Sequence, residues 1–72
     1  MSPIFRSPAG AIYSVVRMDG AFRICWWSAR RGEWRPTVMD PFPTAAVAER
    51  ELRKIARECE WTEKRDRVLL GQ

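Results

Sequence analysis

Two mostly apolar runs, Ala11–Met18 and Ala21–Ser28, flank Asp19-Gly20, which is the pattern of two strands joined by a two-residue type I′ turn. That turn fixes the pairing: Met18 opposes Ala21, Arg17 opposes Phe22, Val15 opposes Ile24 and Tyr13 opposes Trp26. Directly opposed residues share a sheet face. One face therefore collects Tyr13, Val15, Phe22, Ile24 and Trp26, and the other collects Ile12, Ser14, Val16, Met18, Arg23, Cys25 and Trp27.

A third strand over Glu33–Met39 alternates Trp34, Pro36 and Val38 against Arg35, Thr37 and Met39, and a slip of one residue exchanges these sets between faces. A three-residue loop Arg30-Arg31-Gly32, with Gly32 left-handed in a G1 bulge, places Ser28 opposite Trp34 and Ile24 opposite Val38. An even-numbered loop sends Trp34 and Val38 to the other side and sets Arg35 beside Trp26. The bulged register is the expectation, with Trp27, Arg35 and Arg23 together on the second face. Pro36 marks this strand as an edge or its end, since proline cannot donate to a ladder.

Asp40-Pro41-Phe42-Pro43 closes the sheet, and Thr44 has the hydroxyl of a helix N-cap. Ala45, Ala48, Leu52, Ile55, Ala56 and Cys59 then recur at three- and four-residue steps and form one apolar stripe. Glu49, Arg50, Arg53, Lys54, Arg57 and Glu58 fill the other side as a solvated face, with Glu49–Arg53 and Lys54–Glu58 spaced for ion pairs. After Trp61, the stretch through Lys64 to Val68, Leu69 and Leu70 reads either as a short added strand or as an amphipathic tail. The start, with Pro3, Pro8 and Gly10, reads as an irregular arm whose Ile4 and Phe5 tuck against the core edge.

The expected fold is thus α+β in a single domain over 1–72: an arm over 1–10, a three-stranded antiparallel sheet over 11–39, a helix over 44–60 packed on one face, and a tail over 61–72. So short a chain hides only about 60% of its unfolded surface, so a few large side chains must supply most of the stability, and Trp26, Trp34, Ile24 and Leu52 are the expected core. One helix covers one face of a small sheet. The other face, carrying Trp27, is left for water, for a second copy or for a partner.

Composition narrows the chemistry. Hydrophobic content of 46% and charged content of 31% are those of an ordinary folded protein, and no apolar run reaches a membrane span, so a cytoplasmic location is expected. Without histidine, and with Cys25 and Cys59 expected on different faces, neither a zinc site nor a Ser-His or Cys-His nucleophile can be assembled, and no disulfide is expected. Glu49, Glu51, Glu58, Glu60, Glu63 and Asp66 sit among Arg and Lys on and after the helix, where surface pairing accounts for them. The glycines are scattered singly and make no phosphate loop. A non-enzymatic binding protein without cofactor or metal is the expectation.

The net charge of +4 resides mainly on the sheet half, where Arg6, Arg17, Arg23, Arg30, Arg31 and Arg35 face only Asp19, Glu33 and Asp40. Guanidinium groups suit bidentate contact with phosphates and carboxylates and stack on aromatic rings. A basic surface with an exposed tryptophan fits nucleic acid and an acidic protein patch equally well. The candidate contact surface centres on Arg23, Trp27 and Arg35, with Arg30 and Arg31 at its rim and Arg17 at the hairpin end.

Three strands followed by Pro41-Phe42-Pro43-Thr44 and a helix bearing Ala48, Glu49 and Leu52 resemble the arm-binding domains of tyrosine-recombinase integrases and the plant ethylene-response DNA-binding domain. That resemblance implies an uncovered sheet face entering the major groove through Arg23, Trp27 and Arg35. The object as a whole also resembles the small phage-encoded proteins that disable bacterial defences, the anti-CRISPR proteins, which implies occlusion of a surface on a host protein or ribonucleoprotein complex in the host cytoplasm. No residue motif defines that class. The occluding inhibitor ranks first and the nucleic-acid-binding module second, because a lone basic sheet offers limited area for reading sequence. A homodimer closing the open face is the third arrangement the sequence allows.

Overall fold

The structure, a computed structural model, describes residues 2–64. Its elements are strands β1 (Ile4–Arg6), β2 (Ile12–Met18), β3 (Ala21–Ser28) and β4 (Glu33–Pro36), helix α1 (Ala45–Glu58) and strand β5 (Thr62–Lys64). The strands form one antiparallel sheet in the order β4-β3-β2-β1-β5, with α1 across β2 and β3. The α+β class with one packed helix holds, but the sheet has five strands rather than three.

The central hairpin matches its sequence pattern. Asp19 and Gly20 both take positive φ, 52° and 79°, as a type I′ turn requires, and the four predicted pairs from Met18↔Ala21 to Tyr13↔Trp26 are present.

The expected irregular arm is instead β1, which pairs with β2 as Ile4↔Ser14, Phe5↔Tyr13 and Arg6↔Ile12. Ser7-Pro8-Ala9-Gly10 makes the connection: the Gly10 amide donates to the Ser7 carbonyl at 2.9 Å, and Gly10 lies at φ 93°. Serine first, proline second and glycine last is the residue order of a type I turn closing a three-residue hairpin loop. Phe5 is buried in the core, as expected of a residue tucked at the edge. On the far side β1 pairs with β5, through Ile4↔Lys64, Phe5↔Glu63 and Arg6↔Thr62. The segment Val68–Leu70, which was open between strand and tail, lies outside the described residues.

The register of β4 is the reverse of the expected one. Ser28 opposes Glu33, Trp27 opposes Trp34, Trp26 opposes Arg35 and Cys25 opposes Pro36. The loop has four residues, Ala29 to Gly32, closed by the Gly32 amide donating to the Ser28 carbonyl at 2.7 Å. The Ser28 hydroxyl accepts from the Arg31 amide at 3.2 Å, so the side chain satisfies a donor inside the loop that a shorter turn would leave out. Gly32 is left-handed at φ 66°, as expected, but one residue of additional loop turns every β4 side chain over. Trp34 therefore leaves the helix side, Arg35 joins it, and Val38 is fully exposed rather than packed on Ile24. Trp26 stays on the helix side but is 40% exposed, so it is not the core residue expected.

β4 is the edge strand that Pro36 announced, and it ends there. Thr37 continues the pairing, its amide and hydroxyl both donating to the Ile24 carbonyl at 3.1 and 2.8 Å. The chain then swings outward and returns at Phe42, which exchanges both backbone hydrogen bonds with Phe22 at 2.7 and 3.0 Å.

Thr44 caps α1, its hydroxyl accepting from the Val47 amide at 3.2 Å. The buried stripe is Ala48, Leu52 and Ala56, four residues apart, and its two alanines bring the helix axis close to the sheet. They pack with Phe5, Val15 and Ile24, flanked by Tyr13, Phe22, Met39, Phe42, Ile55 and Trp61. Cys59, expected at the end of the stripe, is exposed. It is the C-cap of a Schellman motif: the Trp61 amide donates to the Ala56 carbonyl at 2.7 Å and the Glu60 amide to the Arg57 carbonyl at 3.4 Å. Glu60 is left-handed at φ 58°, a conformation that ordinarily calls for glycine. The motif turns Trp61 back over the sheet, where it stacks on Tyr13 at 4.2 Å between centroids and 6° between planes.

The two helix ion pairs suggested by spacing are not formed. Glu49 instead accepts from the Ser2 hydroxyl at 3.0 Å, and Arg53 reaches Glu63 of β5 at 3.2 Å. That contact is exposed on both sides and contributes little.

Leu52→Ala empties the centre of the core and is expected to cost about 2–5 kcal/mol in chemical denaturation. Val38→Ala is expected to change stability by less than about 0.5 kcal/mol, since Val38 touches solvent in this register; a cost above about 1 kcal/mol would place it on Ile24 instead. Glu60→Gly relieves the left-handed strain at the helix end and is expected to add about 1 kcal/mol in the same assay.

Candidate interaction surface

Strand parity decides which side chains face away from α1. In the outer half of the sheet Trp27 and Trp34 face each other, their rings 5.3 Å apart at an interplanar angle of 69°, an edge-to-face pair. The Thr37 amide bond to Ile24 fixes the phase of the ladder, so Trp27 and Trp34 form a non-hydrogen-bonded pair, the closer of the two kinds. The same phase points the nitrogen of Pro36 to the free edge, where its missing proton breaks no bond. That edge is left with the Trp34 amide as its donor within β4, too little to pair with another strand.

Towards the centre of this face stand Ile12, Val16 and Met18 of β2, all half-buried, with Ile4 and Arg6 contributed by β1. The floor is small: Ser14 and Cys25 oppose each other and are both buried. The Ser14 hydroxyl donates to the Pro3 carbonyl at 2.7 Å. Cys25 lies 4.0 Å from the Met18 sulfur, and burial pushes its thiol pKa up, with the Arg23 charge pulling part of the way back. Its expected place on the open face is correct by strand parity, yet its own atoms are covered.

The predicted surface residues divide. Arg23 and Trp27 share the face away from the helix, and Trp34, assigned from sequence to the core, joins them. Arg35 lies on the helix side, next to Trp26, and holds Glu33 at 2.9 Å. Arg17 is also on that side, exposed at the hairpin end with its guanidinium 6.0 Å from the Phe22 ring. Arg30 and Arg31 are exposed in the β3–β4 loop. Arg23, Trp27 and Arg35 therefore do not make one surface. The additions from β1, Ile4 and Arg6, were missed because the arm was not read as a strand, although its Ser-Pro-Ala-Gly turn carried the signal.

Arg23 is half-buried, with Nη2 donating to the Met39 carbonyl at 3.4 Å and Nε closed off from solvent without a hydrogen-bond partner among the described residues. No described carboxylate pairs with it. A separate cleft of about 240 Å³ lies between α1 and β5, lined by Phe5, Arg53, Ala56, Arg57, Trp61 and Glu63. Its Arg53 is already engaged by Glu63. Among the described residues no cluster of three or more His, Cys, Asp or Glu is gathered for a metal, and no helix is long and apolar enough to cross a membrane.

Comparisons of the chain with protein-family models, with curated proteins and with solved structures yield no match.

The two thiols give a direct check of these placements. At neutral pH, iodoacetamide is expected to label Cys59 readily and Cys25 only on unfolding, as read by mass spectrometry. Comparable labelling of both in the native protein would mean that the centre of the open face is not packed as described.

Proposed function

We propose that this chain is a non-enzymatic binding protein that acts by covering a functional surface on a partner protein, with the sheet face away from α1 as its contact surface. The observation that carries this reading is the Trp27–Trp34 pair, two large half-buried rings held edge to face on the side the helix leaves uncovered. Aromatic anchors set in a rigid sheet are the residue type and mounting that dominate binding energy at protein interfaces. Ile4, Ile12, Val16 and Met18 extend the apolar part of the face, and Arg6 and Arg23 supply its charge. The role this suits best is that of an inhibitor of a bacterial defence complex, of the anti-CRISPR type, encoded by a phage or mobile element.

The reading as a nucleic-acid-binding module loses ground on geometry. Both readings place Arg23, Trp27 and Arg35 together; with Arg35 on the other face the surface has one cation fewer, which weighs more against a phosphate track than against an aromatic-centred protein contact. The exposed Arg30 and Arg31 remain available to a phosphate at the rim, but the face itself is largely apolar.

Affinity capture from bacterial lysate, with and without nuclease, separates the two. A protein complex that survives nuclease and is lost with Trp27→Ala or Trp34→Ala is expected, with both variants unfolding within a few degrees of the parent. Recovery of nucleic acid alone, lost after nuclease and falling steeply with salt, would replace the protein partner by a phosphate backbone.

A further inference from the structure

We infer that the open face recognises a carboxylate side chain set within an apolar patch of its partner, with Arg23 receiving the carboxylate and the Trp27–Trp34 pair seating the apolar neighbour. This rests on the reading of the face as a protein-binding surface and specifies the chemistry of what it binds. A guanidinium in water is fully solvated, but that of Arg23 is partly withdrawn from it: among the described residues Nε has no access to solvent and no partner, and Nη2 holds one long bond to a neutral carbonyl. Its neighbours on the face are Val16 across the ladder and Ala21 and Cys25 along the strand, none of which offers a charge. Both described ion pairs, Arg35–Glu33 and Arg53–Glu63, lie elsewhere. Nε is sealed from a partner as it is from water, but the guanidinium charge is delocalised, so an anion reaching the Nη side offsets the hydration lost at Nε, and the shortfall favours a partner that brings one.

The surroundings say which anion. A nucleic-acid backbone presents a charge at every nucleotide and needs a track of cations, whereas among the described side chains this face offers Arg23 and Arg6 on non-neighbouring strands, with apolar residues of β2 between them. One fixed guanidinium bordered by aliphatic and aromatic side chains matches one Asp or Glu bordered by apolar residues. Planar bidentate geometry then makes Arg23 specific in a way that lysine is not.

The test is a display library of random twelve-residue peptides selected on the immobilised full chain, followed by synthesis of the enriched peptides. Peptides bearing Asp or Glu beside Leu, Ile, Phe or Met are expected. Changing that residue to Asn or Gln in the peptide should weaken binding about 30-fold or more, and the loss should vanish when the protein carries Arg23→Met. Arg23→Lys should recover only a small part. The peptide substitution leaves this protein untouched, so the result does not depend on the variants folding. Selected peptides that need Trp27 but carry no acidic residue, or that are indifferent to Arg23, would overturn the carboxylate assignment while leaving the face as a docking surface. Peptides indifferent to both Trp27 and Trp34, or capture of a 20-base-pair duplex probe in their place at physiological salt, would overturn the docking surface itself.

Discussion

Directly opposed residues in an antiparallel sheet must share a face, and nearly everything in this molecule follows from that parity. The Asp19-Gly20 turn sets it for β2 and β3, and the four-residue loop from Ala29 to Gly32 transmits it to β4. Once Trp27 opposes Trp34, one side of the sheet has Val15, Ile24 and Phe5 for the helix, and the other has a tryptophan pair without a covering element among the described residues. A loop one residue shorter would move Trp34 under the helix side and Arg35 to the open face. The surface chemistry is therefore decided by a backbone turn rather than by the side chains themselves.

The helix adapts to this sheet by being thin where it touches. Ala48 and Ala56 allow close approach on either side of Leu52, which fills the centre. What the narrow stripe leaves open at the end of the helix is closed by Trp61, brought back by the left-handed turn at Glu60 and laid flat on Tyr13. The strained residue is tolerated because the stacked indole and the two backbone bonds of the Schellman motif depend on the same turn. Local strain here is the means by which a short helix covers a sheet wider than itself.

The parts of this arrangement governed by local chemistry were legible in the sequence. Asp-Gly gave the hairpin and its register, Thr44 the start of the helix, Pro36 the edge, and the spacing of Ala48, Leu52 and Ala56 the buried stripe. Two features were not recovered. Gly32 by itself points to the shorter loop, whereas the Ser28 hydroxyl stabilises the longer one, and that single residue of loop length moves Trp34, Arg35 and Val38 together. β1 is only Ile4-Phe5-Arg6, within the four residues that separate Pro3 from Pro8, too short for alternation to register, and it exists because β2 and β5 both supply ladder partners for it. The candidate surface inherited both errors, keeping Arg23 and Trp27, losing Arg35, and lacking Trp34, Arg6 and Ile4.

The molecule is a sheet whose covered side is stabilised by α1 and whose other side presents paired indoles and a half-desolvated guanidinium. An edge blunted by Pro36 directs contact to that face rather than to strand addition. All of this depends on Trp27 and Trp34 lying opposite each other on the side away from the helix. Two-dimensional nuclear Overhauser spectroscopy tests it directly, because a non-hydrogen-bonded pair brings its two α-protons into close contact. A strong cross-peak between the α-protons of Trp27 and Trp34, with contacts between their indole rings, is the predicted result. A Trp34 ring that instead contacts Trp26, with Val38 on Ile24, would show the shorter loop and return the tryptophan to the helix side.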